Sequence, residues 1–127
     1  MRRSTKWALL AVGFVLAVSG PTSSAHAAVA KASCYGPGLF GNHTSNGTVL
    51  TPRTEGIAHK TLPLGSAVVL YSPHRRSATF ALVIDRGPFI RGRSVDVTSA
   101  TARRLGYRSC RSFGVRRILY WTLGGRP

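Results

Sequence analysis

Between residues 66 and 124 the chain alternates short apolar runs with turn residues. "SAVVLYS" (66–72) and "SATFALVID" (77–85) are rich in β-branched and aromatic side chains, and "PHRR" between them reads as a hairpin connection. In the second run Thr79, Ala81, Val83 and Asp85 fall on one face of a strand, and Phe80, Leu82 and Ile84 on the other. "RSVDVT" (93–98) predicts a further short strand, and "FGVRRILYWTLG" (113–124) a closing one. "SATARRLGY" (99–107) opens on Ser and Thr and has Gly106 near its end, which predicts one short helix. Upstream, "CYGPGLFGNHTSNGT" (34–48) holds four glycines, a proline and two asparagines and reads as a long surface loop. Short strands with frequent turns predict an all-β domain, a small barrel or a sandwich. There is no internal repeat and no interdomain linker.

The first residues carry a different pattern. "MRRSTK" is basic, "WALLAVGFVLAVSG" (7–20) is apolar, and "PTSSAHA" (21–27) ends on Ala25-His26-Ala27, a small-x-small cleavage site. This predicts a signal peptide over residues 1–27, cut after Ala27. The apolar run is shorter than the roughly 20 residues of a membrane span, so the expected product has no stable membrane anchor; an uncleaved anchor is the alternative. Arg2-Arg3 alone does not choose between export routes. The expected product, residues 28–127, is a single monomeric domain, secreted or held at the bacterial cell wall.

Charge narrows the partners. The chain has 18 Lys+Arg against three acids, Glu55, Asp85 and Asp96, and the exported portion keeps a net charge of about +12. Such a surface favours polyanions. Export turns the expectation from nucleic acid to anionic cell-wall polymers. Cys34 and Cys110, an even count in a small exported domain, predict one disulfide across most of the domain, with two free thiols as the alternative.

Two of the three acids sit in one stretch, "VIDRGPFIRGRSVDVT" (83–98). Asp85 ends a strand and is followed by Arg86 and a Gly-Pro turn, which puts its carboxylate at a barrel rim. Its sequence neighbours Val83, Ile84, Pro88 and Phe89 are apolar, a setting that favours a general acid; strand alternation aims Arg86 away from it. The competing reading is a carboxylate that caps turn amides. Asp96, two residues before the helix start, reads as a backbone cap or an arginine partner. Glu55 reads as an exposed loop residue. His59, in "IAHKTLPLG", suits either proton transfer or a structural role; His43 and His74 are loop residues. No histidine pair has metal-ligand spacing, so neither a metal site nor a cofactor is expected.

At "SCYGPGLFGNHTSNGT", "GIAHKTLPLGSAV" and "VIDRGPFIRGRSVDVTSATARRLG" the sequence closely resembles the rare lipoprotein A family. The likeness runs from about Ala32 to Leu123, and "AHKTLPLG" followed by "DRGPF" is its specific signature. It implies a six-stranded double-psi β-barrel, with one short helix from the pattern above, and a polysaccharide groove formed by crossing loops. It further implies septal-ring lytic transglycosylase chemistry on peptidoglycan glycan strands, with Asp85 as catalytic acid, His59 as its partner, and Thr48, Thr61 and Arg86 along the substrate. The chain departs from the family at three places. Thr48 stands where members carry Glu after the "NG" of the first loop, Cys34 replaces a tryptophan, and "YRSCRSF" (107–113) is an addition that supplies Cys110.

A glycosidase needs two carboxylates at set separations. A lytic transglycosylase needs fewer groups, because the muramic acid C6 hydroxyl attacks its own anomeric carbon. The sequence therefore predicts a lytic transglycosylase run by Asp85, with an expansin-like barrel that binds wall polysaccharide without cutting it as the alternative. A cationic effector acting on membranes is the third reading.

Overall fold

The computed structural model describes residues 27–124 and the isolated positions 13, 15, 17 and 20; the remainder of the expected signal segment lies outside the described residues. Six strands close into a barrel: β1 (Ala28–Tyr35), β2 (Ile57–His59), β3 (Ala67–Ser72), β4 (Ser77–Asp85), β5 (Val95–Thr98) and β6 (Arg116–Thr122). Around the barrel they run β1-β5-β2-β4-β3-β6. The pairs β1/β5 and β2/β4 are parallel and the other four are antiparallel. This is the six-stranded all-β barrel expected from the sequence.

The interior is narrow and is filled by Ile57, Val68, Leu70, Val83, Val97 and Ile118, all fully buried, with small Ala30, Ala32 and Ala81 between them. Each large aliphatic side chain contributes about 1.5–3 kcal/mol by burial. The small residues let the strands close tightly. In β4 it is the face of Ala81 and Val83 that enters the core, while Phe80 and Leu82 point outward, 68% and 51% exposed. Hydrophobicity alone would have chosen the opposite face. The strand pairing of the closed barrel decides it, setting Ala81 opposite the buried Val68.

Among the described residues two α-helices are present where one was expected, besides a 3-10 turn at Pro37–Leu39. α1 (Ser99–Arg104) follows directly from β5, capped by the Thr98 hydroxyl, which accepts the Thr101 N–H at 3.2 Å. α2 (Cys110–Phe113) lies in the segment read as an addition, and Ser109 and Ser112 cap it reciprocally. The local reason is Ser-x-x-Ser ahead of a glycine, a short capping box that hydrophobic periodicity does not register. Tyr107 ahead of α2 and Phe113 at its last position are buried in the core. The expected disulfide is present: Cys34 and Cys110 are bonded with their Cα atoms 5.1 Å apart, tying β1 to α2. In the chain-entropy view a loop of this size is worth about 4 kcal/mol.

One irregularity sets up the site. Along the parallel β2/β4 ladder Ile57 pairs with Val83, but Ala58 pairs with Asp85, so the register skips Ile84. The Ile84 side chain lies over Gly56, where an added Cβ would fall 2.6 Å from Ile84 Cδ1. Gly56 is bare because Ile84 needs that space. Gly56→Ala is expected to cost about 1–3 kcal/mol through overpacking, read as a lowered urea midpoint. An unchanged midpoint would mean that Ile84 does not hold the register.

Candidate functional site

Cross-strand pairing assembles the site. Ser33 pairs with Asp96, Asp96 with Ala58, and Ala58 with Asp85, a row across the neighbouring strands β1, β5, β2 and β4. Residues opposite one another on paired strands share a face. Val95 and Val97 on either side of Asp96 are fully buried in the barrel, so the row lies on its outer side. Strict alternation would have sent Asp85 inward with Val83. The skipped residue turns it outward to join Asp96, as bulges do beside functional sites. With strands about 4.8 Å apart, two strand spacings put the Cα atoms of Asp85 and Asp96 about 10 Å apart. Only the small Ala58 stands between them.

Asp85 is held by one oxygen. Its Oδ1 accepts the Ser45 N–H at 2.9 Å, the Ser45 hydroxyl at 2.7 Å and the Arg86 N–H at 2.9 Å. Oδ2 accepts no hydrogen bond among the described residues. The carboxylate thus sits in a polar cradle, and the apolar setting inferred from its sequence neighbours does not form. The cause is the first loop, which crosses the end of β4. Asn46 donates its N–H to the Ile84 carbonyl at 3.1 Å, while its side-chain oxygen accepts the Thr44 hydroxyl (2.6 Å) and the Thr48 N–H (3.1 Å). The Thr48 carbonyl accepts the Thr44 N–H at 2.8 Å. Thr48 therefore shapes, through its backbone, the turn that presents Ser45 to Asp85. Phe89 faces solvent at 83% exposure.

Asp96 accepts the Ser33 hydroxyl and is half-buried. It neither caps α1, a role taken by Thr98, nor pairs with an arginine. Both expectations for it are corrected: its backbone is in the middle of β5, and its side chain points across the sheet instead of along the chain. Glu55 stands apart from the row and pairs with Arg104 at 2.8 Å on the exposed surface.

His59 ends β2 and is buried. Its Nδ1 accepts two backbone N–H groups, from Thr61 at 3.1 Å and Leu62 at 3.0 Å. The ring proton is therefore on Nε2, which donates to the Tyr120 hydroxyl at 3.0 Å. Burial, then the Arg86 and Lys60 charges, pull the imidazole below its ordinary value. Both ring nitrogens are occupied and neither bonds to Asp85. The Arg86 guanidinium donates to the carbonyls of His59 (3.1 Å) and Leu62, so it points away from the Asp85 carboxylate and ties down the turn after β2. Thr61 is exposed beside this unit. The fold thus gathers the "AHKTLP" turn and the "DRGP" turn at one end of the barrel through Arg86.

Sequence reasoning missed Tyr35. It follows Ser33 by two residues on β1, so it shares the face that carries Asp96. Its hydroxyl is buried and has no hydrogen-bond partner among the described residues. Burial, then the charges of Asp85 and Asp96, push the phenol well above its usual range, so it keeps its proton. The signal was the alternation Ser33, Tyr35, but β1 is rich in alanine and was not recognisable as a strand. Ser45, which anchors Asp85, had no sequence signal beyond its place in a turn-rich loop.

A family model described as lytic transglycolase, of the double-psi β-barrel type, matches residues 27–120. The chain belongs to this family. Among curated relatives of the barrel, the endolytic peptidoglycan transglycosylase RlpA of Pseudomonas aeruginosa is 34% identical over 108 residues, 81% of this chain and 32% of the relative. The RlpA proteins of Vibrio cholerae, 41% identical over 60% of this chain and 29% of the relative, and of Helicobacter pylori, 39% over 57% and 23%, are also similar. The chain spans about a quarter to a third of the length of these relatives. The Streptomyces papain inhibitor shares the fold, with a TM-score of 0.53 at 17% identity over 76% of this chain and 93% of that one.

The His59 environment has a consequence for stability. Its folded-state pKa lies below the ordinary 6.5. Above that pH both folded and unfolded chains are neutral at this site and it costs nothing. As pH falls through 6.5, the unfolded chain binds a proton that the folded chain refuses, so stability falls until the lower folded value is passed. The denaturant midpoint is expected to drop between pH 7.5 and 5, and to drop less in His59→Asn. Equal drops in the two proteins would show that His59 is not the titrating group.

Proposed function

We propose that the chain is an exported, peptidoglycan-active barrel. In this reading it is a lytic transglycosylase that cleaves the MurNAc-β-1,4-GlcNAc bond with Asp85 as acid and base. The observation that carries the reading is the asymmetry of Asp85: Oδ1 is fixed by three donors, and Oδ2 accepts no hydrogen bond on the face shared with Asp96 and Tyr35. A reacting carboxyl needs that combination of fixed orientation and an open oxygen.

The Asp85 carboxyl gives its proton to the glycosidic oxygen as the C1–O bond breaks. The C6 hydroxyl of the same muramic acid closes on C1, and its proton returns to Asp85, leaving a 1,6-anhydro end. The nucleophile belongs to the substrate, so the Glu replaced by Thr48 is not required as one. Tyr35, protonated and buried beside Asp85 and Asp96, acts as a positioning residue for the two carboxylates. His59 and Arg86 act as positioning residues that hold the turn beside Asp85, with Thr61 exposed to the glycan.

Thr48 also favours a second reading, a barrel that binds wall polysaccharide without cutting it. The purified protein is incubated with sacculi and the soluble products are identified by mass spectrometry, with Asp85→Asn in parallel. Anhydromuramyl products, reduced at least a hundredfold in Asp85→Asn, are expected. Reducing-end products would instead mean hydrolysis with a second carboxylate, for which Asp96 in the same row is the candidate. No products from a protein that still sediments with sacculi would establish the binding barrel.

Tyr35→Phe separates site from scaffold. Removing an unpaired buried hydroxyl is expected to leave the thermal midpoint unchanged or raise it, while product yield falls at least tenfold. Unchanged yield would remove Tyr35 from the site.

A further inference from the structure

Tyr107 and the β3–β4 turn build a second surface at the far end of β4 from Asp85, and α2 leads from it to the disulfide on β1. From Ser77 to Asp85 the strand advances eight residues, about 26 Å at 3.3 Å each. At its start the β3–β4 turn meets the end of α1. The Ser77 hydroxyl donates to the Arg104 carbonyl at 3.4 Å, and the Arg75 stem packs 3.7 Å from where a Gly106 Cβ would stand.

Tyr107 organises this surface. Its ring is buried, and its hydroxyl bonds to Ser72 at 2.6 Å. The guanidinium groups of Arg75 and Arg116 both pack on the ring, 5.2 and 4.5 Å from its centroid, so the two charges are less than 10 Å apart. No carboxylate lies between them, because Asp85 and Asp96 are committed to the other site and Glu55 pairs with Arg104. Arg108 and Arg111 are exposed on and beside α2, which the disulfide and the buried Phe113 hold rigidly to the barrel.

Arg76 adds an independent observation. At φ 51° it is the one non-glycine residue with positive φ among the described residues. Glycine fits that conformation without strain, and a long side chain there lowers stability. Its position at the turn tip projects a further cation from this surface.

We infer that the arginine surface around Tyr107 binds a linear poly(polyol phosphate), a base-free phosphodiester polymer, separately from the glycan site at Asp85. Arg116 donates to the Ser112 and Phe113 carbonyls, so the exposed Arg75, Arg76, Arg108 and Arg111 are the cations that would meet an anion here. The planar guanidinium fork matches paired phosphate oxygens, and arginine outnumbers lysine fifteen to three in the chain. The charges are spread over a turn and a helix instead of converging on one point, which suits a polymer better than a single phosphate.

The purified protein is titrated with labelled linear poly(glycerol phosphate) at several salt concentrations. Polygalacturonate, anionic phosphatidylglycerol vesicles and single-stranded DNA of matched charge are titrated alongside. Poly(glycerol phosphate) is expected to bind at least tenfold more tightly than polygalacturonate. In the triple variant Arg76→Gly, Arg108→Ser, Arg111→Ser its affinity is expected to fall at least tenfold, and the salt dependence to flatten by about two to three contacts. The Arg76→Gly change alone is expected to raise the thermal midpoint, which separates lost binding from lost folding. Lys60→Ser with Arg91→Ser, exposed at the Asp85 end, is expected to leave binding within twofold. Equal binding of polygalacturonate, tighter binding of vesicles or DNA, or an equal loss in the Lys60 and Arg91 variant would each overturn the assignment. None of these outcomes depends on whether sacculi are cleaved.

Discussion

The site depends on a single register slip between two parallel strands. β2 is three residues long and β4 is nine, and their ladder advances by one residue on β2 while it advances by two on β4. The extra residue, Ile84, is accommodated because Gly56 offers no side chain beneath it. Without the slip, Asp85 would continue the buried series of Ala81 and Val83, and an ionised carboxylate would face an aliphatic core at a cost of several kcal/mol. With it, the carboxylate joins Ala58, Asp96 and Ser33 on the outer side, where a crossing loop supplies its donors.

Three acidic side chains in so basic a chain are each put to a distinct use. Asp85 organises the first loop through Ser45, Asp96 takes the Ser33 hydroxyl across β1 and β5, and Glu55 pairs with Arg104 at the surface. The arginines divide similarly. Arg86 is spent on two carbonyls of the turn after β2, and its field helps keep His59 neutral. Arg116 donates to the carbonyls of Ser112 and Phe113 and packs on Tyr107. Arginine here holds backbone in place as well as supplying charge, which a lysine could not do with the same fork geometry.

Around Asp85 the loops are tied by hydrogen bonds and leave polar groups open. Cys34 lies between Ser33 and Tyr35 on β1, so the disulfide anchors α2 close to the row that carries Asp96, and Phe113 and Tyr107 fix it against the core.

The sequence by itself determined β3, β4, β5, β6 and α1, because each has either strong alternation or a capping signal of its own. It also determined that Cys34 and Cys110 would pair, and its "AHKTLPLG" and "DRGPF" motifs marked the family. It did not show β1, whose alanines carry little hydrophobic contrast, or β2, which is too short for any period. α2 was hidden because four residues of helix have no periodicity. Only the tertiary structure decided which face of β4 is inside, since that follows from its pairing with β3 in the closed barrel. It alone placed Asp96, Ser33 and Tyr35 beside Asp85: these residues lie on three different strands, and no spacing along the chain encodes a register slip between β2 and β4.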